Sequence, residues 1–182
     1  MPMPDLNTAL GYARIMRAGG SVQRYHTART VRSQTNADHS WGVAALVAQV
    51  YPEASSTLFR AALFHDVSET FTGDIPTPAR RDHPALAEAE HDASTHYNVM
   101  LGLEFPLTPK EYDVLKWCDL MELLMWCAED ARLGNTFVVS MLHNGVKYLN
   151  EKEAPTQEAG DLKEQFLTYI GPLLTTEKDW YA

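Results

Sequence analysis

A histidine and an aspartate stand side by side, His65-Asp66, at the end of the apolar run in AALFHDVSETFTGDIPTP, residues 61–78, and Glu69 follows three residues later. Imidazole and carboxylate are common ligands of divalent metals. Neither belongs unpartnered in an apolar helix, because a buried ionised carboxylate is costly unless it is paired or bound to a metal. Neighbouring side chains on a helix diverge by about 100°, so one ion takes both only if it sits between them and other elements complete its shell. Two more residues have the same character: His39 in NADHSWG and Asp119 in KWCDLMELL, polar groups in apolar, helical surroundings. Two histidines and two carboxylates suit Co²⁺, Mn²⁺, Fe²⁺ or Zn²⁺. Each piece also has a plainer reading by itself. His39 reads as a helix-start residue bonded to the backbone, Asp119 as a partner for Lys116 or an exposed acid, and a bare His-Asp pair as a common dipeptide. The order H, HD, D on three separate helices is what points to a metal.

The chain that must position these residues reads as helical almost throughout. Asp5 caps LNTALGYARIMRA, which Gly19-Gly20 ends. SVQRYHTARTVRSQTN has no clear periodicity and is rich in arginine. Asn36 or Asp38 caps HSWGVAALVAQVY, and Pro52 stops it. Ser55 or Ser56 caps TLFRAALFHDVSE, which places His65, Asp66 and Glu69 on one helix, and TFTGDIPTP is a loop. Asp82 with Pro84 opens HPALAEAEHDASTHYNVMLGL. Thr108, Pro109 and Glu111 form a capping box for EYDVLKWCDLMELLMWCAEDARL, which Gly134 ends. Asn135 caps TFVVSMLHNGVKYLN, and one more helix follows, interrupted at Gly171-Pro172. No alternating strand pattern of useful length is present. The expected architecture is a single all-α, bundle-like domain of six or seven helices over residues 1–182, with the metal-site core at about 23–125 and C-terminal helices in 135–182.

Composition narrows the function classes. The chain has 182 residues, 45% hydrophobic and 21% charged, which suits one globular domain. A net charge of −9 argues against a nucleic-acid polymer as partner. An anionic small substrate stays open, because a metal or a local arginine cluster reverses the field inside one cleft. Cys118 and Cys127 lie too far apart along one helix to bridge, which implies reduced thiols in a cytosolic protein. No apolar run approaches the ~20 residues of a membrane span, and MPMPDLNTALGYA lacks the pattern of a secretory signal.

The strings QRYHTARTVRSQTNADHSWGVA, FHDVSETFTGDIPTPAR and KWCDLMELL, spanning residues 23 to about 125, resemble the HD-domain phosphohydrolases. Within that family the likeness is to bacterial 5′-deoxynucleotidases and to small phage enzymes that remove triphosphate from dATP. The resemblance implies the HD-domain helical bundle, with His39, His65, Asp66 and Asp119 as ligands of one divalent metal. It implies Glu69 as the residue that positions or deprotonates the attacking water, and positions 66 and 69 share a helix face. Asp74 matches a second acid near the leaving sugar oxygen, and reads equally as a turn residue. Arg24 and Tyr25 match an Arg-aromatic pair that grips phosphate and stacks on a base; the deoxynucleotidases carry Trp at the second position. Arg80 and Arg81 follow TPA, where relatives place a basic residue that reaches phosphate. Arg32 reads as solvated, His26 as part of the substrate-side loop, and Trp41, Trp117 and Trp126 as core or interface.

The activity this implies is attack of water on the α-phosphorus of a deoxynucleotide, with the 5′ sugar oxygen leaving. The expectation is a dATP triphosphohydrolase. The alternatives are a 5′-deoxynucleotidase acting on monophosphates, a nucleotide-binding module without turnover, and a structural oligomer with a buried ion-pair network. The cofactor expected is one divalent transition metal, with Mg²⁺ accompanying a triphosphate. A deoxynucleotide substrate, a homo-oligomer and a cytoplasmic location in a bacterial cell, encoded by the host or by a phage, complete the expectation.

Overall fold

The structure, a computed structural model, describes residues 8–175. Its elements are α1 (Ala9–Gly19), β1 (Gln23–Arg24), β2 (Gln34–Thr35), α2 (Asn36–Val50), α3 (Ser56–Phe64), α4 (Glu69–Thr72), α5 (Thr77–Asp82), α6 (Pro84–Leu101), α7 (Pro109–Arg132), a 3₁₀ turn (Thr136–Val138), α8 (Val139–Asn150) and α9 (Gln157–Thr175). Seven of the helices have nine or more residues, and α4 and α5 are single-turn pieces between them. The all-α expectation holds in this form.

Helix α7 is the central rod. Val114, Trp117, Cys118, Met121, Leu124 and Ala128 recur at helical spacing and are all buried, so one face of α7 is apolar along its length. It packs against α2, α3, α8 and α9, and α2 packs in turn against α3. Val43, Val47 and Val50 of α2, Leu58 of α3 and Leu142 of α8 fill the space between them. Trp117 and Trp126 belong to this core, whereas Trp41 is 72% exposed. A smaller cluster of Ile15, Val67, Leu101 and Leu103, with Phe64 and Phe71 against it, clamps the segment after α3 between α1 and the end of α6.

Several boundaries differ from expectation, each for a local reason. The cap proposed at Asp5 lies outside the described residues, and Thr8 caps α1 by accepting from the Gly11 N–H at 3.0 Å. Thr35, not Asn36 or Asp38, caps α2, and Asp38 closes the box by accepting from the Thr35 N–H at 2.9 Å. Ser55 caps α3, and Thr108 with Glu111 caps α7 as expected. Helix α3 stops at Phe64, so His65 and Asp66 sit in a turn, and Glu69 opens α4 rather than sharing their helix. Residues 70–72 and 77–78 of the expected loop are helical, in α4 and α5, and α6 starts at Pro84 with no side-chain cap, Asp82 being engaged by Arg81 at 2.8 Å. Asn135 caps the 3₁₀ turn that leads into α8. Pro172 falls inside α9, which does not break at Gly171-Pro172. The two antiparallel strands pair Gln23 with Thr35 and Arg24 with Gln34. Two-residue strands carry no alternation to detect, yet they close the arginine-rich segment 25–33 into a loop.

Candidate metal centre

Three elements converge at the buried N-terminal end of α2. Helix α2 contributes His39, which is 0% exposed; the turn after α3 contributes His65 and Asp66; α7 contributes Asp119. His39 Nδ1 donates to the Glu122 carboxylate, which only accepts, and Nε2 is the ring nitrogen turned to the cluster, where a metal would take the place of a proton. That Nε2 lies 3.1 Å from Asp119 Oδ1 and 3.9 Å from Asp66 Oδ2. His65 is fixed by the same logic: Nδ1 donates to the Ala62 carbonyl at 2.9 Å. Its Nε2 is buried without a hydrogen-bond partner, 3.3 Å from Asp66 Oδ2 and 3.9 Å from Asp119 Oδ1.

These donors fit a metal. Ligand atoms of His39, His65 and Asp119 all lie within 4.8 Å of one another. Donors about 2.0–2.2 Å from one ion lie about 3–3.5 Å apart when they subtend roughly 90–110°. The separations here need only small adjustments. The orphaned Nε2 of His65 is the most telling atom, since a buried nitrogen lone pair beside two carboxylates otherwise has nothing to bind. Lys116 also reaches Asp119 at 3.6 Å, so the plainer pairing coexists with the cluster.

The electrostatics favour positive charge at this point. Burial works against a charged His39, but hydrogen bonds to Asp119 and Glu122 outweigh it and push its pKa up to about 9. Burial also works to raise Asp119, yet the His39 hydrogen bond and the nearby imidazoles hold it well below the usual carboxylate range. A proton and a metal compete for the same nitrogen, so metal uptake here depends on pH.

Glu69, the first residue of α4, stands beside the cluster. Its Oε2 accepts from Asn36 Nδ2 at 2.7 Å, and the same amide donates to the Asp66 carbonyl at 3.3 Å. Burial, then repulsion from Asp66, pushes the Glu69 carboxyl up to about 7 against the lowering effect of Asn36. Gly73, at φ 72, ends α4 where a side chain would be strained, and its N–H returns to the Glu69 carbonyl at 2.7 Å.

Arg24 reaches the cluster from β1, donating from Nη1 to Asp66 Oδ2 at 2.9 Å. Tyr25 follows in the left-handed region at φ 56, a conformation costly for a bulky residue. Asp74 Oδ2 accepts from its N–H at 3.3 Å and holds it there, so the observed contact of Asp74 is with the backbone of Tyr25. His26 Nδ1 lies 3.9 Å from the same carboxylate. The Tyr25 ring stacks on Trp126, with centroids 4.3 Å apart and planes at 15°. Arg80 and Arg81 are engaged elsewhere: Arg80 with Glu90 at 3.0 Å and Thr77 at 3.3 Å, Arg81 with Asp82. Among the described residues none of their hydrogen bonds or ion pairs reaches the cluster.

Residues that sequence reasoning missed support the ones it found. Asn36 precedes His39 by three positions and Glu122 follows Asp119 by three, the spacing of one helix face, a signal that could have found both. Asp130, fully buried, accepts from the N–H groups of Val31 and Arg32 at 3.2 and 3.0 Å and from Asn135 at 2.5 Å. Asn135 in turn donates to the Arg29 carbonyl at 2.8 Å. Arg32 is part of this brace rather than solvated, pairing with Glu129 at 2.9 Å. No helix among the described residues is long and apolar enough to cross a membrane.

Residues 12–106 match the family described as 5′-deoxynucleotidase YfbR-like. A dATP triphosphohydrolase of Salmonella phage PMBT28 is 31% identical over 148 residues, covering 71% of this chain and 74% of its own. A 5′-deoxynucleotidase of Photobacterium profundum is 28% identical over 161 residues, covering 75% and 83%. The fold is shared with the cyanophage S-2L HD phosphohydrolase DatZ, solved with dA and one catalytic Zn²⁺ ion. That pair superposes with a TM-score of 0.66 at 20% identity, over 87% of this chain and 96% of the other. The chain belongs to the YfbR-like 5′-deoxynucleotidase family of HD-domain phosphohydrolases.

Proposed function

We propose that this chain is a metal-dependent deoxynucleotide phosphohydrolase that cleaves between the α-phosphorus and the 5′ oxygen, with dATP as its substrate and deoxyadenosine and triphosphate as products. The observation that carries the reading is the convergence of the Nε2 atoms of His39 and His65, the latter without a hydrogen-bond partner, on Asp66 and Asp119 beside Glu69. A divalent transition metal held by those four residues would polarise the phosphoryl group and lower the pKa of water. Glu69 takes the proton of the attacking water, and Asn36 keeps its carboxylate aimed. As the phosphorus–oxygen bond to water forms, the bond to the 5′ oxygen breaks and that oxygen receives the proton. Arg24, held against Asp66, offers its guanidinium to a phosphoryl oxygen. Tyr25, backed by Trp126, presents a flat wall for the base. Asp74 braces that wall.

The relative from a Salmonella phage and the dA bound in the cyanophage fold neighbour support the adenine triphosphate. A second reading, hydrolysis of deoxynucleoside monophosphates, is favoured by the pairing of Arg80 with Glu90, which occupies charge that a longer phosphate chain would use. The proposal takes residues 1–182 as one domain, assembled as a homo-oligomer in the bacterial cytoplasm, with Mg²⁺ accompanying the triphosphate.

Product analysis separates the two readings. The protein is incubated with Co²⁺ and a panel of dNMPs, dNTPs and NTPs, and the products are resolved by ion exchange. Triphosphate released from dATP supports the first, phosphate from dNMPs alone the second. Metal bound with no nucleotide turned over contradicts both.

A further inference from the structure

Glu122 is used by none of the steps above, yet both of its oxygens are committed. Oε2 takes the proton on His39 Nδ1, and Oε1 accepts from Gln34 Nε2 at 2.8 Å. Gln34 is itself buried, on β2 directly before α2 begins. An independent feature of α2 fits the same carboxylate. Gly42, one turn beyond His39, presents no side chain, and a Cβ there would come within 2.7 Å of Glu122 Cγ. Helix α2 therefore leaves a gap that the stem of Glu122 fills, on the face that carries His39.

We propose that Glu122, aimed by Gln34 and seated at Gly42, is the positioning residue of the metal centre: it holds the Nδ1 proton of His39 and so turns Nε2 towards Asp119 and Asp66, where a metal would replace its proton. The proposal rests on the reading of His39 as a ligand. His39 is fully buried, so without Glu122 its Nδ1–H loses the acceptor that the fold provides. The ring then either keeps an orphaned donor or turns its N–H toward the cluster, and both weaken the ligand. The charge of the carboxylate also makes the imidazole a stronger donor, which a neutral acceptor does only in part.

The test uses the whole chain, stripped of metal, as wild type, Glu122→Gln, Glu122→Ala and Gly42→Ala. Each is titrated with Co²⁺ by calorimetry, with the visible Co²⁺ absorption recorded at saturation and the metal-free melting temperature measured alongside. Glu122→Ala is expected to bind Co²⁺ about 10–100-fold more weakly than wild type, with an altered absorption band. Glu122→Gln, which keeps an acceptor, falls between them and keeps the test readable if the alanine variant melts too low. Gly42→Ala weakens binding in the same direction. Leu142→Ala, a core truncation on α8, lowers the melting temperature and leaves Co²⁺ affinity unchanged. Co²⁺ affinity within twofold of wild type and an unchanged spectrum in both Glu122 variants overturn the proposal alone. Wild type that takes up no Co²⁺ overturns the reading of the ligands beneath it.

Discussion

Glu69 shows how a single carboxylate can be set for proton transfer. Burial and the neighbouring Asp66 push it up to about 7, while Asn36 holds one of its oxygens. Glu69→Gln should leave metal uptake in place and lower kcat by about 10²–10⁴-fold, the usual contribution of a positioned base. Because the ionised form is the active one, kcat should fall as falling pH protonates Glu69. The stability sign runs the other way. A carboxyl whose folded pKa is raised binds more protons folded than unfolded, so the metal-free protein loses stability as pH rises from 4.5 to about 7. Denaturant melts across that window should show the slope in wild type and a flatter profile in Glu69→Gln. At this scale the candidate ligands were legible, because His39, His65, Asp66 and Asp119 are residue types whose chemistry survives without coordinates, and the structure brings them together. Their supports were not. Asn36, Gln34 and Glu122 are ordinary polar residues until packing aims them; Asn36 and Glu122 share helix faces with His39 and Asp119, whereas Gln34, on β2, carries no such signal.

Among the elements, the loop between the two short strands matters most to the substrate side. Arg24 and Tyr25 stand at its start, and its far end is anchored on Asp130, which gathers the N–H groups of Val31 and Arg32 with the Asn135 amide. Asp130→Ala leaves those donors without an acceptor and should cost roughly 1–3 kcal/mol. Because the loop carries the binding residues and not the ligands, KM should rise more than kcat falls; steady-state kinetics beside a urea melt checks both. None of this was readable in SVQRYHTARTVRSQTN, since the order of that segment comes from a two-residue ladder and from partners about a hundred positions away in sequence. Long helices behaved differently. The apolar spacing of α7 and the box at Thr108 and Glu111 fixed its start from local signals, and Gly134 lies just past its end. The break between α3 and α4 was invisible because His65 keeps helical dihedrals, φ −59 and ψ −30, while the chain leaves the helix axis.

For the molecule as a whole, the candidate metal centre ties the turn after α3 to α2 and α7, which the apolar core already packs together. The four proposed ligands come from α2, the turn after α3 and α7, and that turn is held otherwise mainly by the small cluster around Ile15 and Val67. Metal bound only to the folded state should raise stability by about 2.7 kcal/mol at a free concentration one hundred times its Kd. A melting-temperature series against Co²⁺ concentration checks this, and Asp119→Ala should flatten it. The measurement that reaches the central claim most directly is a chelator titration in which bound metal and deoxynucleotide turnover are read on the same samples. The account predicts that both decline together and return together at one equivalent of metal per chain. Turnover that persists after the metal is gone would contradict it.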